Sequence, residues 1–348
     1  MRIGVRANAA LVVALLVVGA CASPSPSAAS PSGAGAQIFI FSNSSPHVTV
    51  IDATTRKILR TGDVSGLTAW SINDDQNYSD GTKVWLALRN VDTDDVEMIT
   101  LDLDSLQVKD RVPLGKDKLN IFHGKATRDG ILLVSKQASA QVVGIDTKNP
   151  HVVSTWDVPV NGGVACDADV GVGSDGVERF YYPTREGNTL VSLDPKSGTA
   201  LKVVNVEKGI TPWMLTTAPD HKTVWVMEDG DDTNGVFDMA TLALLKRFPT
   251  GKGPYVTSFS PDGKYAFIGH RRDTVLAVYD TKSFDELQRI TLGTNPRNVA
   301  VDPASKFAWV TITKEHTVAV VEVGTWKIAD RIDLGSANPD SIWIRPGR

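Results

Sequence analysis

One phrase recurs seven times along this chain: an alternating apolar run closed by an acid, a few polar residues, then a second apolar run. The copies are VTVIDATTRKILRTG, EMITLDLDSLQVKDRVPLG, VVGIDTKNPHVVSTWDV, TLVSLDPKSGTALKVVNV, GVFDMATLALLKRFPTG, VLAVYDTKSFDELQRITLG and VAVVEVGTWKIADRIDLG. Their acids are Asp52, Asp102, Asp146, Asp194, Asp238, Asp280 and Glu322, spaced by 50, 44, 48, 44, 42 and 42 residues. A period in the forties built from strand patterns is the signature of a radial β-array. Period-two alternation and β-branched enrichment mark the runs as strands, and no helical pattern of comparable length competes with them.

The sixth unit shows the layout most clearly. Its strand-like runs cover residues 255–259, 265–269, 274–279 and 287–292, and the first two are joined by the turn Pro261-Asp262-Gly263. The seventh repeats it at 298–301, 307–312, 317–321 and 328–334. The expected fold is therefore all-β: a seven-bladed propeller of four-stranded antiparallel blades. Six or eight blades would require one repeat to be misread. Residues 341–345 form an innermost strand with no blade after it, and residues 37–41 start a blade at its second strand. Pairing of the two would close the ring and remove its open sheet edge.

The N-terminus reads as a targeting segment, to be set aside before fold reasoning. Arg2 and Arg6 precede an apolar run over 9–18, shorter than the roughly 20 residues of a membrane-spanning helix. Val18-Gly19-Ala20-Cys21 then resembles the lipobox of bacterial lipoprotein signal peptides. That resemblance implies a leader over 1–20, cleavage before Cys21, lipid on Cys21, and anchoring on the extracytoplasmic face of the cell membrane. The alternative is an ordinary secretory leader with a chance Cys. Residues 21–36, rich in Ala, Ser and Pro, cannot bury a core and read as a tether, leaving 37–348 for the propeller.

The chain carries 36 basic residues against 40 acidic, and two of the basic ones lie in the leader. This mild acidity argues against nucleic acid or anionic lipid headgroups as partners. With Cys21 lipidated, Cys166 is alone, so no internal disulfide is expected.

The stretches FIFSNSSPHVTVIDATTRKI and YAFIGHRRDTVLAVYDTKSF resemble YVTN-type repeats of extracytoplasmic propellers. The four signature positions read Ile40-Phe41-Ser42-Asn43 in blade 1 and Val310-Thr311-Ile312-Thr313 in blade 7. The resemblance implies the propeller fold. It also implies kinship with the haem-binding propeller of cytochrome d1 nitrite reductases and with relatives that handle haem d1 or metals.

In a propeller the innermost strands begin on one face, the top, and this rule sorts the candidate residues. The channel mouth should be lined by Trp70, Phe122, His123, Cys166, Asp167, Trp213, Tyr255, Arg297 and Asp340. The ends of the second strands add Lys136, Arg185, Glu228, Asp229, His270 and Arg271 to the rim. Aromatic, guanidinium, carboxylate and imidazole groups around one funnel suit a small polar ligand, and mixed signs suit protein recognition. The bland alternative is that Trp213 and Tyr255 plug the channel and Arg297 pairs with Asp340. His47, His123, His270 and His316 fall on or near the top, but no H-x-H or C-x-x-C spacing writes a metal site locally. Cys166 with Asp167 and Asp169 could supply a mixed ligand set or a thiol nucleophile, with buried inert Cys as the alternative. The acidic loops at 92–95 and 229–234 lack the spacing of a twelve-residue calcium loop.

No nucleophilic triad, Gly-rich phosphate loop or metal motif stands out. The expected function is that of a lipid-anchored, non-catalytic binding protein or scaffold, with its protein or small-ligand partner at the top face. The alternative is a metal or haem d1 carrier using His123 with His270, His47, His316 or Cys166, although the chain has no CxxCH attachment site. A hydrolase of the propeller lactonase kind rests on the fold alone.

Overall fold

The computed structural model describes residues 35–43, 45–72, 78–159 and 167–347. The expected leader, most of the expected tether, Cys21 and Cys166 lie outside these residues. The described strands form seven antiparallel sheets, each beginning at an innermost strand and ending at an outer one. The innermost strands are Pro339–Arg345, Trp70–Ile72, Ile121–Ala126, Asp169–Val172, Pro212–Thr217, Pro254–Phe259 and Pro296–Val301, for blades 1 to 7. The ring closes as expected: Pro339–Arg345 pairs with Gln37–Ser42 from the other end of the chain, Gln37 opposite Arg345 and Phe39 opposite Trp343. Blade 2 departs from the pattern, because Tyr78–Ser79 adds a short fifth strand beside Lys83–Asn90. Among the described residues the only helical turn is Thr313–Glu315.

The recurring acid turns out to hold the hairpin between third and fourth strands. Asp52 Oδ1 accepts from the Thr54 and Thr55 N–H groups and the Thr55 hydroxyl. Asp102, Asp146, Asp194, Asp238 and Asp280 accept from the N–H groups two and three residues on in the same way. A short side chain that accepts from its own turn is the reason Asp recurs there. Those donors hold the carboxyls of Asp52, Asp102, Asp146, Asp194 and Asp280 below the usual range, led by the Thr55 N–H in Asp52 and the Ser105 hydroxyl in Asp102. Glu322, one methylene longer, takes only the Thr325 hydroxyl from its turn.

The same turns fasten each blade to the one before it. Leu106, Leu242, Phe284 and Trp326 close their turns at φ of 55° to 61°. Leu106 joins the core between blades 1 and 2, and Phe284 reaches Trp225 of blade 5 at 5.8 Å. Trp326 meets Tyr265 of blade 6 edge-on at 5.0 Å. In blade 4 the position is Gly198, at φ 71°, where a Cβ would lie 2.4 Å from the Trp156 ring of blade 3. There the preceding blade supplies the bulk and the turn supplies the room. The second and third strands are almost wholly buried and the fourth strands mostly exposed, so the core is a ring of layers between neighbouring blades.

Candidate binding site at the channel mouth

Four adjacent blades open their innermost strand in one way. Pro212-Trp213, Pro254-Tyr255, Pro296-Arg297 and Pro339-Asp340 each begin a strand. Proline, with no N–H to place in a ladder, is tolerated at that first position. Each strand then carries one residue too many for its partner. Trp213 is skipped between the pairs at Pro212 and Met214, and Asp340 between Pro339 and Ser341. Tyr255 with Val256 faces the single Gly269, and Arg297 with Asn298 faces the single Thr311. Bulges of this kind re-aim side chains, and these four turn theirs toward the mouth. Gly269 permits one of them: a Cβ there would lie 1.9 Å from the Arg297 carbonyl oxygen.

The bulged residues act on one another. The Arg297 guanidinium lies over the Tyr255 ring, 4.1 Å from its centroid, and donates to the Tyr255 hydroxyl. It also pairs with Asp340 at 3.0 Å, both side chains being largely buried. Asp340 Oδ2 accepts from Asn43 Nδ2 at 2.5 Å and Oδ1 from Asn298 Nδ2 at 3.2 Å. Asn298 and Thr311 donate to its backbone carbonyl. The ring of Tyr255 packs with Phe122, Met214, Met227 and Val256, with half-buried Trp213 against this cluster. Below this cluster, toward the bottom face, opens a cavity of about 310 Å³ lined by Lys125, Thr216, Thr217, Ser258, Phe259 and Trp343 among others. Phe122 and Tyr255 thus plug the channel, while Arg297 and Asp340 bolt blades 6, 7 and 1 together at its mouth.

Trp213 has a different company. The guanidinium carbons of Arg185 and Arg271 lie 3.9 Å and 5.1 Å from its ring centroid. Arg271 donates to Asp229 Oδ2 at 2.5 Å, and Arg272 bonds both Asp229 and Asp232 at 2.8 Å. Asp229 and Asp232 of the acidic loop at 229–234 are thereby engaged by arginines, while Asp231 accepts from the Thr233 hydroxyl. Asp94 and Asp95 of the other acidic loop pair with Arg89 and Lys116.

The remaining rim candidates lie deeper than the sequence placed them. His270 is fully buried. Its Nε2 accepts from the Gly251 N–H at 2.9 Å, so the ring proton sits on Nδ1 and is donated to the Val275 carbonyl at 2.8 Å. Burial pushes the pKa of this imidazole down to about 4, so it is neutral at pH 7. Glu228 is also fully buried, bound through both oxygens by Arg247 at 2.8 Å and 2.9 Å. Lys136 donates to the Leu114 carbonyl. Second-strand ends thus serve mainly as ties for the loops that follow them.

The histidines do not converge. His47 bonds Asp63 through Nδ1 and Thr61 through Nε2, and His316 bonds the Ala337 carbonyl. His123 is buried, with Nδ1 at 3.0 Å from the Gly124 carbonyl. Among the described residues no three His, Cys, Asp or Glu side chains gather as a metal site would require. Asp167 is fully buried rather than on an open rim. Asp169 is a structural hub. It accepts from Lys125 N, Val170 N, Thr217 N, the Thr217 hydroxyl at 2.6 Å and Lys125 Nζ at 2.8 Å. Five donors on one carboxylate join blades 3, 4 and 5 and leave no lone pair for a metal. Lys125, Asn43 and Asn298 were not singled out by the sequence. Asn298 could have been found as the second residue of the bulge, directly after Arg297.

The fold and this mouth define a class: a seven-bladed β-propeller whose innermost strands open, in four adjacent blades, on a cluster of aromatic, guanidinium and carboxylate side chains. No family model matches the chain, and no curated protein matches it in sequence. Solved structures do share its fold. The periplasmic gluconolactonase PpgL of Pseudomonas aeruginosa is 15% identical, covering 89% of this chain and 99% of its own, with a TM-score of 0.69. Hydrazine synthase of Kuenenia stuttgartiensis is 17% identical over 80% of this chain and 90% of its own, with a TM-score of 0.63. Apo AztD of Citrobacter koseri is 14% identical over 91% and 99%, with a TM-score of 0.61. At such identities these likenesses show the shared propeller fold and no more.

Proposed function

We propose that this protein is a lipid-anchored, extracytoplasmic propeller that binds a partner protein or small polar ligand at its top-face mouth without turning it over. The observation that supports this most is the set of four adjacent bulges presenting Trp213, Tyr255, Arg297 and Asp340. A cluster of re-aimed aromatic and charged side chains at strand starts is suited to recognition. Its titratable groups are already engaged: Asp340 by Arg297, Asp229 by two arginines, His270 by two backbone groups. A general base needs a free lone pair within reach of substrate. The YVTN-type resemblance and the lipobox-like Val18 to Cys21 support the extracytoplasmic, anchored setting.

Hydrolysis of a sugar lactone is the second reading, favoured by the likeness in fold to a periplasmic gluconolactonase over nearly the whole chain. Incubation with glucono-δ-lactone separates the two. Hydrolysis at the spontaneous rate is expected, and a saturable rate abolished by Trp213→Leu would overturn the non-catalytic reading. A thermal-shift screen of polar metabolites should find compounds that stabilise the wild type and not Trp213→Leu. The metal or haem carrier reading draws on the cytochrome d1 resemblance. Stoichiometric metal in native protein, lost in His123→Ala, would establish it in place of the scaffold. Anchoring is tested by Cys21→Ser, which should release the protein from the membrane fraction.

A further inference from the structure

Around Trp213 the protein has more hydrogen-bond donors than acceptors. Arg185 makes no ion pair or hydrogen bond among the described residues and lies over the ring of Trp213. Arg271 also lies over that ring, so two cations share one indole, and the carboxylate that Arg271 pairs with, Asp229, is divided between Arg271 and Arg272. Arg271 Nε and Trp213 Nε1 are buried without acceptors. Two like charges on one ring repel each other, and buried donors left unpaired cost free energy. A fold that retains both at one spot is arranged for an acceptor that comes from outside.

The position of Arg185 is also prepared. It opens the loop between Glu178–Thr184 and Thr189–Leu193, and that loop is clamped at its base by the Thr184 and Thr189 hydroxyls at 2.5 Å. Asn188, at φ 49°, closes the loop, and its Oδ1 accepts from the N–H of Thr211 at 3.3 Å, two residues before Trp213. Arginine and indole are thus brought together by a tie between blades 4 and 5. A guanidinium stacked on an aromatic face keeps its in-plane N–H fork available, and that fork matches two oxygens of a carboxylate or phosphate.

We propose that Arg185, held on Trp213 with Arg271 beside it, is the binding residue for an oxyanion, the carboxylate or phosphate group of a small-molecule ligand at the mouth. The proposal rests on the top face being the binding face and not on the absence of catalysis. One unpaired cation set among half-buried side chains matches a single oxyanion rather than an extended acidic protein surface.

Calorimetric titration of the full mature chain with inorganic phosphate and with citrate, at constant ionic strength, tests it. Saturable binding of at least one is expected, and the preference between them identifies the source of the oxyanion. Arg185→Gln should weaken that binding about tenfold or more, as loss of a charge-assisted pair requires. Arg185→Lys, which keeps the charge and loses the fork, should recover only part of it. Arg185→Gln should leave the denaturation midpoint unchanged, so a lost titration reports binding and not folding. No saturation by either anion, or equal affinity in Arg185→Gln, would overturn the proposal. So would binding of acidic polypeptides alone. The failures are separable: turnover of glucono-δ-lactone would remove the non-catalytic reading and leave the Arg185 result standing, whereas uncharged ligands that stabilise the protein while both anions fail would remove only the oxyanion site.

Discussion

The two ends of the central channel are built from one ring of innermost strands, with blade 5 contributing to both, and handle polar groups in opposite ways. Toward the bottom, Asp169 is fully buried and receives five donors from three blades, so that its carboxylate is saturated. At the top, the bulges of blades 5, 6 and 7 gather three guanidinium and aromatic contacts, and around Trp213 donors remain without acceptors. A saturated polar cluster serves the fold; one with donors left over is arranged for something else. Residue type does not separate the two, since both hold an acid and a cation. Saturation does.

The strongest attack on that contrast removes Asp169. Asp169→Ala leaves the N–H groups of Lys125, Val170 and Thr217 without their buried acceptor, while the half-exposed Lys125 ammonium keeps its bonds to the Thr217 carbonyl and hydroxyl. Each buried donor left unpaired costs about 1–3 kcal/mol, so with three of them the urea midpoint should fall by the equivalent of about 3 kcal/mol or more at unchanged slope. Ligand stabilisation at the top face should survive in the folded fraction. A variant as stable as the wild type would show that the hub is not structural.

The next largest effect is a dependence on pH. His270 lies under the top rim yet belongs with the saturated groups. Its folded pKa of about 4 stands below the ordinary 6.5, so between these values the unfolded chain binds a proton that the folded chain refuses. The stability present above pH 6.5 is therefore lost as pH falls toward 4, by on the order of 3 kcal/mol in all. His270→Gln should remove the slope in that window, at some loss of stability at neutral pH. The turn aspartates, whose pKa values are lowered, act in a separate window below about pH 4, which His270→Gln should leave unchanged. A wild-type curve flat from pH 6.5 to 4 would mean that His270 is not buried neutral.

Asp340 tests the border between the two regions, because it stands at the mouth and is saturated. Asp340→Asn keeps the shape, removes the charge from Arg297 and weakens the bonds from Asn43 and Asn298. A loss of about 1.5–3 kcal/mol follows from hydrogen bonds to a charged group. The freed Arg297 should also raise the affinity of the mouth for anions. Unchanged stability with altered anion binding would move Asp340 from the framework to the site.

How far the sequence carried the structure follows from the range of the interactions involved. The propeller and its closure, read at residues 37–41 and 341–345, were legible, because alternation and turn chemistry are local. Blade 6 was located almost to the residue. The fifth strand at Tyr78–Ser79 was not, since two residues carry no periodicity. The mouth was half legible: counting from strand starts gave Trp213, Tyr255, Arg297 and Asp340, and the Arg297–Asp340 pair stood among the alternatives. The burial of His270, Asp167 and Glu228 was not, because a rim position and a tie beneath the rim have the same place in the repeat. Only the partners, Gly251 and Val275 for His270 or Arg247 for Glu228, distinguish them, and those lie across hairpins or loops.

The smallest expected effect on stability is also the sharpest test of the contrast. If unsaturated donors are kept for a ligand, removing one should cost the fold nothing. Arg185→Gln takes away a cation that has no carboxylate and sits beside Arg271 on one ring. It loses a cation–π contact of about 0.5–1 kcal/mol and relieves a like-charge repulsion of similar size. The two should nearly cancel, leaving the midpoint within about 0.5 kcal/mol of the wild type at low salt. Added salt screens only the repulsion, so the variant should lose ground to the wild type as ionic strength rises. A stability cost near that of Asp340→Asn, independent of salt, would place Arg185 with the framework and erase the difference between the two ends of the channel.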